Sequence, residues 1–256
     1  PTIGADLGAS AAGSIWVVNA YQLVIAVSLL PLASLGDLWS YRRVYLIGLA
    51  IFASMSVLCA LSDSLLELTL ARMLQGLGAA AVMSVNGALT RLIYPRARLG
   101  RGVALNTLIV SVAAAAGPSV AAAILSLASW PWLFAVSAPV GLLALIMGWH
   151  FLPSNEGAPS QRFDLPSALL NVLTLGCFFL AVTGFAQGHA GWWLVLPVLI
   201  GVPLGWLFVR RQLSRSMPLL PVDLLRIPIF ALSICSSISA FTAQILAMVS
   251  IPFYFQ

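Results

Sequence analysis

One arginine of this 256-residue chain, Arg72, lies inside a long apolar segment. A guanidinium stays protonated at ordinary pH, and holding one at membrane depth costs roughly 2.5 kcal/mol or more. On a helix, Gln75, Asn86 and Thr90 fall within about 60° of Arg72 and form a polar stripe about 27 Å long. The stripe indicates either a buried hydrogen-bonded seam between helices or a water-accessible cavity that serves as a proton path.

The remaining reactive side chains are scattered. Neither the three cysteines nor the two histidines have the spacing of a metal site, and the sequence contains no catalytic triad pattern and no glycine-rich phosphate loop. We therefore expect no enzymatic activity, no metal and no cofactor. Transport becomes the leading class of function.

The elements that must position the polar stripe are membrane helices. Hydrophobic residues make up 61% of the chain and charged residues only 7%, whereas a soluble domain has about 25% charged residues. Because about 20 apolar residues of helix cross a bilayer, this composition predicts an all-α, polytopic membrane protein. Eight spans are predicted, at residues 14–35, 44–61, 66–92, 103–127, 132–152, 167–187, 192–209 and 228–255.

The arginines predict the orientation of these spans. The chain has no lysine, and every arginine except Arg72 lies in or beside alternate loops: Arg42, Arg43, Arg91, Arg96, Arg98, Arg101, Arg162, Arg210, Arg211, Arg215 and Arg226. The positive-inside rule makes these loops cytoplasmic and places Pro1 on the extracytoplasmic side of the cell (inner) membrane. The net charge of +5 then reflects topology, and no nucleic-acid partner is expected.

A family resemblance begins at Arg72. Residues 72–80, Arg-Met-Leu-Gln-Gly-Leu-Gly-Ala-Ala, resemble the Arg-x-x-Gln-Gly-x-Gly-x-x signature on the fourth helix of major facilitator drug exporters. This resemblance implies one helix upstream of Pro1, which an outside start without a signal-peptide pattern also predicts. Together with the polar stripe, it leads us to expect that Arg72 and Gln75 couple protonation to helix movement.

A second resemblance lies between the first two predicted spans. Residues 35–44 resemble the superfamily's cytoplasmic loop motif, Gly-x-Leu-Ala-Asp-Arg-x-Gly-Arg-Arg-Arg; Asp37, Arg42 and Arg43 match it, and Ser40 replaces a glycine. The resemblance implies a cytoplasmic gate in which the aspartate meets an arginine and a helix N-terminus. The simpler alternative is a solvated turn.

A third resemblance lies in the fourth predicted span. Residues 113–122 are similar to the antiporter motif Gly-x-x-x-Gly-Pro-x-x-Gly-Gly and keep Gly117 and Pro118, while alanines replace the other glycines. Pro118 lacks an amide hydrogen and predicts a local bend, and the small residues predict close approach by a neighbouring helix. In the family this motif is associated with exporters.

Further stretches at residues 16–23, 130–141, 163–166 and 218–225 resemble the fourteen-helix drug:proton antiporters of this superfamily. The resemblance implies three parts. Residues 1–152 would form most of the N-terminal helix bundle, without its first helix. Residues 153–226 would form a cytoplasmic loop, two inserted helices and a linker, and residues 227–256 the first helix of the C-terminal bundle.

The same resemblance implies a monomeric, lipid-embedded efflux pump that exchanges protons for hydrophobic cations, such as quaternary ammonium compounds, by alternating access. Trp16, Tyr21, Asn86 and Phe134 are candidate residues of the substrate cavity. For four further tryptophans, anchoring at the lipid interface is an open alternative: Trp130, Trp132, Trp192 and Trp193. Two alternative functions remain: a proton-coupled uptake symporter of the same superfamily, and a membrane scaffold or non-transporting subunit, which would not need Arg72 inside the bilayer.

The main proton-binding acid is not evident in the predicted spans, because none of them contains an acid near its middle. We expect it in the missing helices. Asp63 and Glu67, at the outer rim, are weaker candidates.

Overall fold

The computed structural model describes residues 6, 11–157, 163–188, 191–215 and 218–254. This part of the chain contains no strand and confirms the all-α prediction. Its α-helices, in chain order, are α1 (Ala11–Trp39), α2 (Tyr41–Ala60), α3 (Leu65–Ile93), α4 (Leu99–Leu127), α5 (Pro131–Ala135), α6 (Ser137–Phe151), α7 (Leu165–Ala186), α8 (Trp192–Leu213) and α9 (Pro228–Tyr254). Short 3-10 helices at Arg96–Arg98 and Val222–Arg226 precede α4 and α9.

Seven helical segments of the described chain are long and apolar enough to cross a membrane, and each coincides with a predicted span. The eighth predicted span falls on α9, Pro228–Tyr254. Many large apolar side chains on the outer faces are exposed, including Leu127 at 89%. Such faces suit contact with lipid, as the composition predicted.

The fifth predicted span is one transmembrane segment built from two helices. α5 ends at Ala135 and α6 begins at Ser137, so Val136 separates them. Pro139, in the first turn of α6, has no amide hydrogen to donate to the carbonyl of Ala135, which accounts for the break. The break keeps α5 as a separate short helix beside α2.

α3 is the centre of the bundle. It lies against both α1 and α2, and α6 covers the other side of α2. α7 and α8 form a hairpin that contacts α1, where the Asn171 side chain donates a hydrogen bond to the carbonyl of Val27 at 2.8 Å. α4 has little contact with its neighbours, and Gly102 is its only buried residue.

Candidate transport site

The start of α3 fixes the height of Arg72 in the bundle. Ser64 caps the helix by accepting a hydrogen bond from the backbone amide of Glu67 at 3.2 Å, and the Glu67 carboxylate accepts one from the amide of Asp63 at 3.2 Å. These bonds satisfy amides that have no partner within the helix. Arg72 therefore lies about 10 Å inside the helix start, and Glu67 serves the helix cap.

The Arg72 guanidinium lies against two aromatic rings and one amide. Its Nη1 donates a hydrogen bond to Oε1 of Gln75 at 2.6 Å. Its central carbon lies 3.8 Å from the ring centroid of Tyr21, on α1, and 5.5 Å from that of Phe134, on α5. Each such cation–π contact contributes about 0.5–2 kcal/mol, more where water is excluded. We call Arg72, Gln75, Tyr21 and Phe134 the Arg72 cluster.

Gln75 joins this cluster to α2. Its side chain is 2% exposed, and its Nε2 donates to the Ser56 hydroxyl at 2.7 Å. Ser56 in turn donates to the carbonyl of Phe52 at 2.7 Å, while the Cys59 thiol lies 3.9 Å from Oε1 of Gln75. Every polar atom of this buried chain has a partner, which a low-dielectric interior requires. The Arg72 end of the polar stripe is therefore a hydrogen-bonded seam.

No carboxylate of the described chain lies within ion-pair distance of Arg72. Among the described residues, two aromatic faces and an amide oxygen contact the guanidinium instead. A guanidinium held in this way remains a permanent cation, and no counter-ion from the described part of the chain contacts it. Its interaction with any other cation that enters the cluster is repulsive.

Trp130 packs against the Phe134 ring of the Arg72 cluster. It is 5% exposed, its ring meets that of Phe134 edge to face at 6.2 Å between centroids, and its Nε1 donates to Asp6 at 3.0 Å. The alternative that Trp130 anchors the chain at the lipid interface is therefore wrong, because its ring lies in the protein core. Trp16 is 37% exposed and makes no ring contact with Arg72 in the described structure.

The far end of the polar stripe forms a separate group. Asn86, which is half-buried, donates to Oδ1 of Asn106 on α4 at 3.4 Å, and Thr90 donates to the carbonyl of Asn86 at 2.9 Å. The polar stripe of α3 therefore divides into two hydrogen-bonded groups: Arg72 with Gln75 at one end, and Asn86 with Asn106 of α4 at the other. Asn106 was not predicted, although it is a polar residue in an otherwise apolar span.

The two glycines of the 72–80 motif let neighbouring helices come close to α3. A methyl group on Gly76 would lie 2.8 Å from the carbonyl oxygen of Tyr21. One on Gly78 would lie 2.7 Å from both the carbonyl oxygen of Gly48 and the amide nitrogen of Phe52. These contacts are with backbone atoms, so a side chain could be accommodated only if a helix moved. Close approach also brings Tyr21 within reach of Arg72.

The predicted gate residues lie where α1 meets α2. We call this end of the bundle, which carries Arg42, Arg43 and Arg91, the arginine-rich end. Asp37 accepts a hydrogen bond from the Tyr41 hydroxyl at 2.6 Å and has no ion pair with Arg42 or Arg43 in the part of the chain described. Arg42 instead donates to the carbonyl of Trp149, and its guanidinium carbon lies 6.0 Å from the Trp149 ring centroid. The aspartate–arginine contact implied by the family motif is thus absent from these residues.

A single residue, Ser40, separates α1 from α2, which is a tighter connection than the predicted loop of residues 37–43. Ser40 has a φ of 157°, a value that glycine adopts more easily and that fits the glycine of the family motif. Its hydroxyl donates to Oδ1 of Asn155 at 3.0 Å, and the same oxygen accepts from the amide of Arg42 at 3.4 Å. The segment after α6 therefore helps to hold this turn.

Gly117 and Pro118 lie in the middle of α4, on a stretch that is exposed. Nothing in the described structure lies within 4 Å of a methyl group placed on Gly117. The close helix approach predicted there is absent from the described part of the chain.

The sequence reading missed one ion-paired group. Asp164 caps α7 by accepting a hydrogen bond from the Ser167 amide at 3.4 Å, and it also accepts one from the Ser167 hydroxyl at 2.7 Å. It pairs with Arg211, on α8, at 2.9 Å and with Arg215, just after α8, at 3.4 Å. Partial burial by itself raises the pKa of Asp164, but hydrogen bonds from Arg211 and Ser167 outweigh burial and lower that pKa below its ordinary value. The two arginines, counted only as topology signals, also hold the α7–α8 hairpin together.

Replacing Asp164 by asparagine should lower the free energy of unfolding at pH 7 by about 1 kcal/mol, since the pair is partly solvated. Because the folded-state pKa is lowered, the carboxylate's contribution is complete above its unfolded pKa of about 3.9 and is lost as the pH falls through the folded value. Thermal unfolding of the full-length protein between pH 7 and pH 3 measures this. Asp223→Asn, at an exposed acid outside the pair, is the control; equal losses in both variants would contradict the assignment.

Comparison with known proteins decides the family. The family model described as Major Facilitator Superfamily matches residues 1–254. This chain belongs to that superfamily. A major facilitator protein is a multi-pass membrane protein of a transporter family, which agrees with the seven membrane-length helices.

The chain is similar to several curated members of the superfamily. It is 57% identical over 257 residues to "Uncharacterized transporter YebQ" of Escherichia coli (strain K12), a match that covers 100% of this chain and 56% of that protein. It is 32% identical to "Multidrug resistance protein Stp" of Mycobacterium tuberculosis (strain CDC 1551 / Oshkosh), with 95% and 46% covered. It is also 32% identical to the "Tetracenomycin C resistance and export protein" of Streptomyces glaucescens, with 94% and 46% covered. The chain spans about half the length of these relatives.

Proposed function

We propose that this protein is a proton-coupled multidrug efflux antiporter that exports hydrophobic cations by alternating access. The observation that carries the proposal is the Arg72 cluster, in which two aromatic faces already hold a cation inside the bundle. Similarity to two proteins named for drug resistance or export supports drug export as the activity. Quaternary ammonium compounds, which carry a fixed charge on an apolar body, fit aromatic faces of this kind.

In this proposal Arg72 and a cationic substrate exclude each other. Two unit charges about 4 Å apart repel by about 4 kcal/mol at an effective dielectric constant near 20, which exceeds the gain from one cation–π contact. A substrate cation that occupies the faces of Tyr21 and Phe134 therefore displaces the guanidinium. Since Arg72 is bonded to Gln75, and Gln75 to Ser56, this displacement acts on the contact between α3 and α2.

The proton would act on an acid elsewhere in the full-length protein. When that acid is ionised, it attracts the substrate cation, and when it is protonated, the cation is released. Arg72 then returns to the aromatic faces and restores the resting arrangement. We further propose that the protein is a monomer in the cell inner membrane, with the arginine-rich end cytoplasmic and residues 153–226 between two helix bundles.

Ethidium transport in vesicles that contain the full-length protein tests the function. With an acidic lumen, an antiporter should accumulate ethidium inside as protons leave, and nigericin should abolish the accumulation by collapsing the proton gradient. An uptake symporter would carry the dye out with the protons. Protein-free vesicles give the passive leak. Dye movement that ignores the gradient would contradict the proposal.

If Asp37 helps to close a gate at the arginine-rich end, replacing it by asparagine should make that gate open more often. Loss of the carboxylate weakens its charged hydrogen bond with Tyr41 by about 1 kcal/mol, so the closed gate should open about fivefold more often. A cavity at this end lies between α1, α2 and the segment after α6, and Ser154 is one of the residues that line it. The readout is maleimide labelling of a cysteine introduced at Ser154, after the three native cysteines are replaced.

Tyr41→Phe is the matched variant, because it removes the same hydrogen bond and keeps the aspartate charge. Faster labelling in both variants assigns the gate to this bond, and faster labelling in Asp37→Asn alone assigns it to the charge. Unchanged labelling in Asp37→Asn would reject the role of Asp37.

A further inference from the structure

At the arginine-rich end, an open pocket of about 480 Å³ lies between α7 and the end of α8 with the two residues that follow it. Three arginines surround it, two at the end of α8 and one just after it, and the remaining lining side chains are two leucines and a serine. The lining residues are Leu170, Leu207, Arg210, Arg211, Ser214 and Arg215. No acid lines the pocket, and Asp164 behind it is the only carboxylate paired with these arginines in the described structure.

The three arginines differ in how closely they contact Asp164. Arg211 makes the short contact, at 2.9 Å, and also donates to Ser167 at 3.0 Å. Arg215 pairs at 3.4 Å and has a side chain that is 50% exposed. Arg210 has no carboxylate partner among the described residues, and its guanidinium carbon lies 5.2 Å from the Trp206 ring centroid. One carboxylate therefore faces three cations, and two positive charges remain uncompensated.

The chemistry of the pocket changes along α8. Toward the bilayer middle, Leu207 is 46% exposed and Trp206 is 62% exposed, as suits residues against lipid. One turn later the arginines begin. An exposed tryptophan beside arginines at a helix end is typical of the boundary between the acyl chains and the headgroups. The groove therefore offers apolar surface to acyl chains and cations to a phosphate at adjacent depths.

We propose that this arginine pocket binds the phosphodiester headgroup of an anionic phospholipid, such as phosphatidylglycerol. Arg210 and Arg215 contact the phosphate oxygens, for which the guanidinium fork is suited, and Leu170 and Leu207 contact the start of the acyl chains. Arg211 stays paired with Asp164 and keeps the two helices in position. A bound lipid would neutralise the positive charges and seal the α7–α8 hairpin at the membrane surface.

Native mass spectrometry of the full-length protein, titrated in detergent with phosphatidylglycerol or phosphatidylcholine, tests the proposal. The wild-type protein should retain phosphatidylglycerol in preference to phosphatidylcholine. The double variant Arg210→Gln, Arg215→Gln should lose about tenfold in phosphatidylglycerol affinity, because charge-assisted hydrogen bonds to phosphate are removed. Both side chains are exposed enough for the fold to survive, and the single variant Arg210→Gln gives an independent measurement.

The matched control is Arg96→Gln, Arg226→Gln, which removes the same charge from exposed positions outside the pocket. It should keep the wild-type affinity. An equal loss in the control would show diffuse attraction to positive charge and overturn the site. Competition by inorganic phosphate at the same concentration as the lipid would overturn the lipid assignment, because it would show an anion site without a role for the acyl chains.

Discussion

Arg72→Lys should reduce proton-driven ethidium transport at least tenfold while the protein remains folded. Lysine keeps the positive charge, but it cannot lie flat on the Tyr21 ring at 3.8 Å and donate to Gln75 at 2.6 Å in the same geometry. Loss of one cation–π contact and one charged hydrogen bond removes about 2–4 kcal/mol from the arrangement. Transport in vesicles gives the rate, and size-exclusion chromatography checks the fold.

Arg91→Lys is the matched control, since it makes the same substitution at an exposed position near the other end of α3. Its transport should equal that of the wild type. A second variant, Tyr21→Leu, removes the ring and leaves Arg72 in place. It should lower the rate of ethidium transport, while size-exclusion chromatography shows a folded protein. Full ethidium efflux by Arg72→Lys would reject the coupling role of the guanidinium.

Gly78→Val should prevent normal assembly of the bundle. Its Cβ would lie 2.7 Å from two backbone atoms of α2, the Gly48 oxygen and the Phe52 nitrogen. Overpacking usually destabilises a protein by about 1–3 kcal/mol, and more is expected here because no flexible side chain can move aside. We expect little folded protein after purification and a lower midpoint of thermal unfolding.

Gly87→Val provides the comparison within the same helix. Nothing lies within 4 Å of a methyl group there, and the change in helix propensity is the same. It should therefore fold nearly as well as the wild type. If both variants fold equally well, the close approach of α2 and α3 at Gly78 is not a determinant of assembly.

The sequence anticipated the elements of this protein more fully than their contacts. Composition and the length of the apolar segments predicted an all-α membrane fold, because hydrocarbon requires every span to satisfy its own backbone hydrogen bonds. The 72–80 motif pointed to the superfamily, which the family model confirms. It also singled out Arg72 and Gln75, which the structure joins in one hydrogen bond. Their predicted role in coupling remains a prediction.

Contacts between distant segments were not predictable in the same way. Tyr21 and Phe134 were predicted as cavity residues without any link to Arg72, and only the folded bundle places both rings against its guanidinium. Trp130 is a tryptophan near the end of a predicted span, as an interface anchor would be, but its side chain lies in the core. Asp37 belongs to a motif that implies an arginine partner. Its partner in the described chain is instead Tyr41, one helical turn along the chain.

What the sequence determined by itself is the set of spans, their predicted orientation and the presence of one unusual cation among them. These properties depend on local composition, because hydropathy and charge act on each segment separately. What only the tertiary structure decided is how the cations are held: Arg72 by aromatic faces, and Arg211 by Asp164, 47 residues away in sequence. Such partners depend on which helix faces meet, and around Arg72 the glycines Gly76 and Gly78 let α1 and α2 approach α3 closely.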